Sequence, residues 1–371
     1  MTMSRLKYVF VHGLSGWGSY DPINRRIPYW GMQGGDLTAY LREKGYDSYA
    51  ASVSPIGSAW DRACELYAQI FGTITDYGVF HSMEMRHGRF GKDFSGEPLI
   101  PEMTDDTRLV LIGHSFGGAT IRLFARLMAD GSEKERKLCP GDSYSGLFSG
   151  NKAGMIHSIV TLASPHNGST VYDLFEDEDF DPESVEAPVW SDVAVRMLSV
   201  GKKNHNPDGR SDSDFADHDM HMDNAAALNR KIGVLPDTYY FSYPLCCTEA
   251  DEAGHQIPIQ EITEPVYMKR SLQIGCYIGV TDAGIVADES WQANDGLVNT
   301  ISAYAPATDP QRPFDPKHTE PGIWNIMPVI RGDHMSIHGG FLRREDIRPF
   351  FLKLVRRIEK LDARTERSGD L

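Results

Sequence analysis

The stretch Gly113-His114-Ser115-Phe116-Gly117-Gly118 constrains this chain more than any other. The run before it, Arg108-Leu109-Val110-Leu111-Ile112, is short, apolar and β-branched, which predicts a buried strand. The run after it, Ala119 to Ala129, repeats apolar residues every three or four positions, which predicts a helix. Glycines on both sides of Ser115 permit a very tight turn from strand to helix. That turn lifts the hydroxyl clear of the backbone and sets it at a helix N-terminus, where amide groups can stabilise a developing oxyanion. The pentapeptide alone arises by chance in a chain with 35 glycines. The strand before and the helix after favour a nucleophile elbow over an ordinary βα turn with a capping serine.

A serine hydroxyl is a poor nucleophile at neutral pH and needs a histidine to take its proton and a carboxylate to orient that histidine. In chains with this elbow the order is serine, acid, histidine. His334 lies in Arg331-Gly332-Asp333-His334-Met335, just past a predicted strand, where the base belongs. His338, four residues on, and His318, in a proline-rich loop, are read as surface histidines. For the acid, Asp295 in Asn294-Asp295-Gly296-Leu297-Val298-Asn299 is preferred and Asp282 in Thr281-Asp282-Ala283-Gly284 is the alternative. The oxyanion needs two amide donors. Phe116, directly after the serine, supplies one, and Leu14, following His12-Gly13 at the end of the first strand, is the candidate for the other.

The remaining pattern alternates strands and helices. Strands are predicted at Leu6–Val11, Tyr46–Val53, Met155–Leu162, Thr238–Tyr243 and Asn325–Ile330, and helices at Gly35–Lys44 and from Ile347 to Leu361. Pro349 falls in the first turn of the last helix, where proline is tolerated. Such alternation implies a mostly parallel sheet covered by helices on both faces. With 371 residues the economical reading is one domain, 1–371, carrying insertions. Two stretches break the alternation, Ser54–Pro101 and Val171–Asn224, and both are read as insertions at the C-terminal edge of the sheet. A net charge of −15 argues against a nucleic-acid partner and against an electrostatic hold on anionic membranes. No apolar run approaches the roughly 18 residues of a spanning helix. Met1–Lys7 runs almost directly into a strand, so no leader is expected in the sequence as given: cytoplasmic if this is the full length, secreted if it is a mature form. Five cysteines at 64, 139, 246, 247 and 276 show no framework spacing and are expected to be free thiols. Oligomeric state is open.

Several segments together resemble the zinc-containing bacterial lipases of the staphylococcal and thermophilic Geobacillus type. They are Val11-His12-Gly13 through Gly16-Trp17-Gly18, Trp60-Asp61-Arg62-Ala63-Cys64-Glu65, Asp76-Tyr77-Gly78 with His81, and His87-Gly88-Arg89-Phe90-Gly91. Beyond the serine motif come Pro165-His166 with Gly168, Asn294-Asp295-Gly296 with Val298-Asn299, and Asp333-His334. The resemblance implies an α/β-hydrolase fold and a serine hydrolase of acylglycerols or related carboxylic esters, working through an acyl-enzyme. It supports Ser115, Asp295 and His334 as a triad, with Leu14 and Phe116 at the oxyanion hole. It also implies a structural zinc (Zn2+) held by two aspartates and two histidines. Asp61, His81 and His87 match by motif, and the family's spacing puts the fourth ligand at Asp219, nine residues before Leu228-Asn229. The 54–101 insertion then reads as a zinc subdomain, and the 171–224 insertion as a lid region that also carries the fourth ligand.

Three departures from the family pattern have consequences. Calcium ligands expected two residues after the base and in the following loop are replaced by Ser336 and by Gly339-Gly340-Phe341, so no calcium site is expected there. Phe116 stands where glutamine is usual, which keeps the backbone donor and makes the pocket floor more apolar. The insertion after Gly168 is short and opens with Glu176-Asp177-Glu178-Asp179-Phe180-Asp181. A lid for emulsified lipid needs a broad apolar face, and Val185, Val189, Trp190, Val193, Val195, Met197 and Leu198 offer a modest one. The alternative to a lipase is therefore an esterase for short-chain or soluble esters, polyesters included, with little interfacial activation.

Overall fold

Seven strands form the central sheet in the computed structural model, which describes residues 5–139, 141, 143–177, 209–341 and 345–369. In chain order they are β1 (Leu6–Val11), β2 (Ser48–Ala51), β3 (Arg108–His114), β4 (Ile156–Leu162), β5 (Tyr239–Tyr243), β6 (Gln311–Pro313) and β7 (Trp324–Ile326). They lie in the order β6-β7-β5-β4-β3-β1-β2, and every neighbouring pair is parallel. The helices that matter for the site are α1 (Leu37–Glu43), α2 (Ala59–Phe71), α3 (Val79–Met85), α4 (Gly117–Asp130) and α5 (Arg348–Gly369).

The central strands read as continuous apolar runs because both of their faces are covered. Val9, Val11, Leu109 and Leu111 pack with α2 and α4 residues such as Leu66, Ile70, Phe124 and Met128. Their chain neighbours Tyr8, Phe10, Val110 and Ile112 point the other way, onto Leu37 and Leu41 of α1 and Phe351, Val355 and Ile358 of α5. The period-2 alternation of a strand thus divides one apolar run between two cores. Arg5, before β1, grips the Asp362 carboxylate of α5 and ties the two ends of the fold together.

Two local features depart from the expected strands. The segment foreseen at Asn325–Ile330 stops at Ile326 and resumes as Ile330–Arg331, which pairs with Leu245–Cys246. Pro328 interrupts one strand and Pro244 its neighbour, because proline has no N–H to give a ladder. The short edge strand β6 has the sequence Gln-Arg-Pro and carries no apolar signal by which it could be foreseen.

Within the 54–101 stretch lie α2, α3 and an antiparallel pair, Ile74–Asp76 with Phe90–Asp93. Ser58 caps α2 through the Asp61 amide, and Gly72 ends it in a left-handed conformation. The residues proposed to give a lid its apolar face, from Val185 to Leu198, lie outside the described residues. Among the described residues no helix is long and apolar enough to cross a membrane.

Phe351 is fully buried, with its ring 5.6 Å from Phe10 and 6.0 Å from Trp30. Phe351→Ala should cost about 3–5 kcal/mol through lost burial and the cavity left behind. Urea unfolding of the variant would show a lower midpoint with an unchanged slope.

Candidate active site

The turn between β3 and α4 is built by close backbone approach. Ser115 sits at φ +54°, a left-handed conformation that costs an L-residue energy and marks a functional constraint. Its amide donates to the Leu162 carbonyl at 2.9 Å, and its own carbonyl accepts from Gly118 at 3.0 Å. A Cβ on Gly113 would lie 2.5 Å from the Gly117 carbonyl carbon, and one on Gly117 would lie 2.3 Å from the Val11 oxygen. Both contacts are backbone and cannot yield, so both glycines are obligatory.

The histidine and the acid arrive from loops beyond the C-terminal ends of β5 and β7. His334 Nδ1 donates to Asp295 Oδ2 at 2.8 Å, and the His334 amide donates to the Asp295 carbonyl, also at 2.8 Å. Asp295 Oδ1 accepts from the Leu297 and Val298 amides at 3.0 and 2.8 Å. A carboxylate with every bond inbound is held as an acceptor, so it fixes the imidazole with its proton on Nδ1 and leaves Nε2 with its lone pair. Asp282, the alternative acid, is on an exposed turn.

Gly13 brings the loop after β1 against the nucleophile: a Cβ there would stand 2.6 Å from Ser115 Cβ. Among the described residues the Leu14 and Phe116 amides have no hydrogen-bond acceptor. Leu14, Ser115 and His334 line one cavity of about 160 Å³, walled by Trp17, Met220, Leu297, Val298 and Met335.

A buried polar chain underneath was not visible in the sequence. Gly13 N–H donates to the Tyr29 hydroxyl at 3.2 Å, Tyr29 is 2.6 Å from His114 Nδ1, and His114 Nε2 is 2.9 Å from the His334 carbonyl. The carbonyl can only accept, so His114 carries its proton on Nε2 and Tyr29 donates to Nδ1. Burial, with His334 and His338 nearby, holds the His114 imidazole well below the usual histidine range and keeps it neutral. His338 is not the surface residue expected: it is fully buried, stacked on Tyr29 at 4.5 Å and 3.0 Å from the Tyr29 carbonyl. His318 is exposed, as expected. The Ser336 hydroxyl donates to Asp333, and the Phe341 amide donates to Glu264.

A second cluster joins α2 and α3 to the short turn Asp212–Asp214. Asp61, His81, His87 and Asp214 place ligand atoms within 4.8 Å of one another. His81 Nε2 is 3.0 Å from Asp61 and 3.2 Å from Asp214, and His87 Nε2 is 3.2 Å from Asp214. Burial opposes a proton on His81, but hydrogen bonds to Asp214 and Asp61 prevail and raise it to about 9. The His87 Nδ1 side bonds the Gly88 carbonyl, which leaves Nε2 buried with its lone pair uncommitted. Two carboxylates, which also pair with Arg210, and two imidazoles form a group able to bind a metal.

The fourth member is Asp214, not the expected Asp219. Asp219 accepts from the Ala59 amide at 2.8 Å and so helps to cap α2. Asp214 is drawn in instead because its carbonyl and carboxylate both bond Ser58, at the start of the helix that carries Asp61. Spacing along the chain did not reveal that contact.

A parallel sheet with a serine elbow, a histidine–aspartate pair and paired free amides at its C-terminal edge defines an α/β-hydrolase. Residues 5–185 and 200–367 match the model of the "Lipase-like, C-terminal domain" family, and the chain belongs to that family. It is similar to Lipase 2 of Staphylococcus aureus, at 29% identity over 99% of this chain and 56% of that protein. It is also similar to a lipase of Staphylococcus epidermidis, at 31% identity over 89% of this chain and 49% of that protein. The chain therefore spans about half the length of the curated relatives it matches. Among solved structures, EstA from Clostridium botulinum superposes with a TM-score of 0.81 at 28% identity, over 96% of this chain and 88% of that one. Staphylococcus hyicus lipase superposes with a TM-score of 0.78 at 27% identity, over 97% of each chain. Lipase 1 from Pelosinus fermentans gives 0.76 at 30% identity, over 97% of this chain and 99% of that one.

Burial, reinforced by Arg62 at His12, lowers the imidazoles of His12 and His338 to about 3. Below about pH 6.5 the unfolded chain binds protons there that the folded chain refuses. The contribution of these two groups should be fully present above that pH and fall toward pH 3 by about 1.4 kcal/mol per pH unit for each. Urea unfolding at pH 7, 6 and 5 would show the slope, and His338→Gln should remove one proton's share of it.

Proposed function

We propose that this protein is a serine carboxylester hydrolase of lipase type. The observation that carries the reading is one cavity lined by Leu14, by Ser115 in its strained elbow and by His334, with Asp295 orienting the histidine and the Leu14 and Phe116 amides free. Ser115 Oγ attacks the ester carbonyl while His334 Nε2 takes its proton, and Asp295 stabilises the imidazolium that forms. The Leu14 and Phe116 amides receive the oxyanion. His334 then protonates the departing alcohol, leaving an acyl-enzyme, and the same nitrogen activates the water that releases the acid.

The cavity favours small acyl groups. Its volume of about 160 Å³ is modest beside the roughly 300–1,000 Å³ of sites that enclose drug-sized ligands. This supports the narrower reading of an esterase for short-chain or soluble esters. Tributyrin should be cleaved at least about tenfold faster than a long-chain triacylglycerol, and Ser115→Ala should lower kcat by about 10³-fold or more. A rate that jumps only when long-chain droplets form would instead assign a lidded lipase, and turnover surviving in Ser115→Ala would defeat the serine mechanism.

For the metal, Asp61, His81, His87 and Asp214 are the ligands we propose for zinc. Four protein donors fill the shell that structural zinc uses and leave no position for a reacting water. The ion would hold α2 and α3 to the Asp212–Asp214 turn and contribute to stability. No calcium is proposed at Ser336 or Gly339–Phe341. Elemental analysis should find one zinc per chain in the parent protein and in Asp219→Asn, and none in Asp214→Asn. The melting temperature should fall in Asp214→Asn, while residual turnover at low temperature persists.

A further inference from the structure

Arg62 is fully buried, yet all of its hydrogen-bond acceptors are neutral oxygens. Its Nε donates to Thr120 Oγ1 at 2.9 Å, its Nη1 to the Ser54 carbonyl at 2.9 Å and the Gly13 carbonyl at 3.4 Å, and its Nη2 to the His12 carbonyl. Among the described residues it makes no ion pair. Glu65, one turn along α2, acts on it electrostatically, but that carboxylate is bonded to the Ser54 amide and the Tyr77 hydroxyl. The buried Arg122, by contrast, faces the Asp309 carboxylate at 4.0 Å.

This placement is expensive in two ways. A buried cation without a direct counterion costs several kcal/mol. Arg62 also sits in the first turn of α2, where the helix dipole disfavours positive charge. Neutral donors could satisfy the same carbonyls at lower cost, so the charge itself has to be of use.

Its surroundings say where. The Gly13 carbonyl, which also accepts from the His12 ring at 2.8 Å and the Gly16 amide at 3.2 Å, and the Leu14 amide are the two ends of one peptide group. A cation on that oxygen draws electron density away from the N–H and strengthens it as a donor. The same guanidinium lies 5.2 Å over the ring of Phe116, the residue that carries the second free amide. We propose that Arg62 is a positioning residue of the oxyanion hole, whose buried charge fixes and polarises the Gly13–Leu14 peptide and adds a positive potential at the reacting carbonyl. The proposal rests on the serine mechanism above. It also gives the Asp61-Arg62 pair two directions of action: Asp61 faces the metal cluster, and Arg62 faces the oxyanion loop.

The test compares Arg62→Gln and Arg62→Lys with the parent. Active sites are counted by labelling to completion with a serine-directed phosphonate, and zinc content is measured because Asp61 is adjacent. On p-nitrophenyl butyrate, Arg62→Gln should lose about 10- to 100-fold in kcat per labelled site with KM within about threefold, a loss confined to the transition state. The inhibition constant of butylboronic acid, which forms an anionic tetrahedral adduct on serine, should rise by the same factor. Arg62→Lys, which keeps the charge, should recover most of both. A merely structural arginine would lower the labelled fraction or the melting temperature while kcat per site and boronate affinity stayed at parent values, and that result overturns the proposal. Equal losses in the lysine and neutral variants would overturn it too. Arg62→Met is the second neutral variant should the glutamine fail to fold. Activity persisting in Ser115→Ala would be a failure of the serine reading and is separable from every Arg62 outcome.

Discussion

Everything at this site depends on how little space separates β3 from α4. The chain must reverse from extended to helical within about two residues while the end of β1 presses on it. Gly113 and Gly117 allow that approach because neighbouring backbone occupies the places where their Cβ atoms would be. The cost appears at Ser115, held in a left-handed conformation, and is met by the two buried cores that clamp β3 from either face. A strained residue persists only where its surroundings over-determine it. Here they comprise almost the whole sheet.

Around that turn the polar groups form two connected systems with different tasks. On the base side, Asp295 fixes His334 through its ring and its backbone, and the His114–Tyr29 chain runs back from the His334 carbonyl to Gly13. Burial keeps the His114 imidazole neutral, so it has a fixed tautomer and a fixed direction of donation. On the other side Arg62 keeps a full charge and spends it on peptide carbonyls. The contrast between neutral histidines and a charged arginine within one small region is a division between geometry and field.

The Asp–His cluster belongs to the same architecture. Helix α2 carries Asp61 and Arg62 in succession, so the Asp–His cluster and the cation on the Gly13 carbonyl share one rigid element. Trp60, the residue before them, stacks between His81 and Phe148 at 5.2 and 5.7 Å and orients that helix turn.

The sequence by itself determined the strand–turn–helix around Ser115 and the order of the parallel strands' apolar runs, and it pointed to Ser115, His334 and Asp295, with Asp282 as the other acid. Each of these is written in local patterning: a strand period, a helix period, and glycines flanking a serine. Its resemblance to the lipase family also named three members of the Asp–His cluster. Tertiary structure alone decided the fourth: Asp214 and Asp219 both reach the start of α2, but Asp214 bonds Ser58 and joins the cluster, while Asp219 accepts from the Ala59 amide. It alone decided that His338 is buried under Tyr29, that Pro328 and Pro244 break neighbouring strands so that both resume together, and that Arg62 faces carbonyls rather than a carboxylate. Local backbone preferences act over a few residues and are legible in one dimension. The partner of a buried charge or imidazole is set by segments that fold onto it from tens or hundreds of residues away.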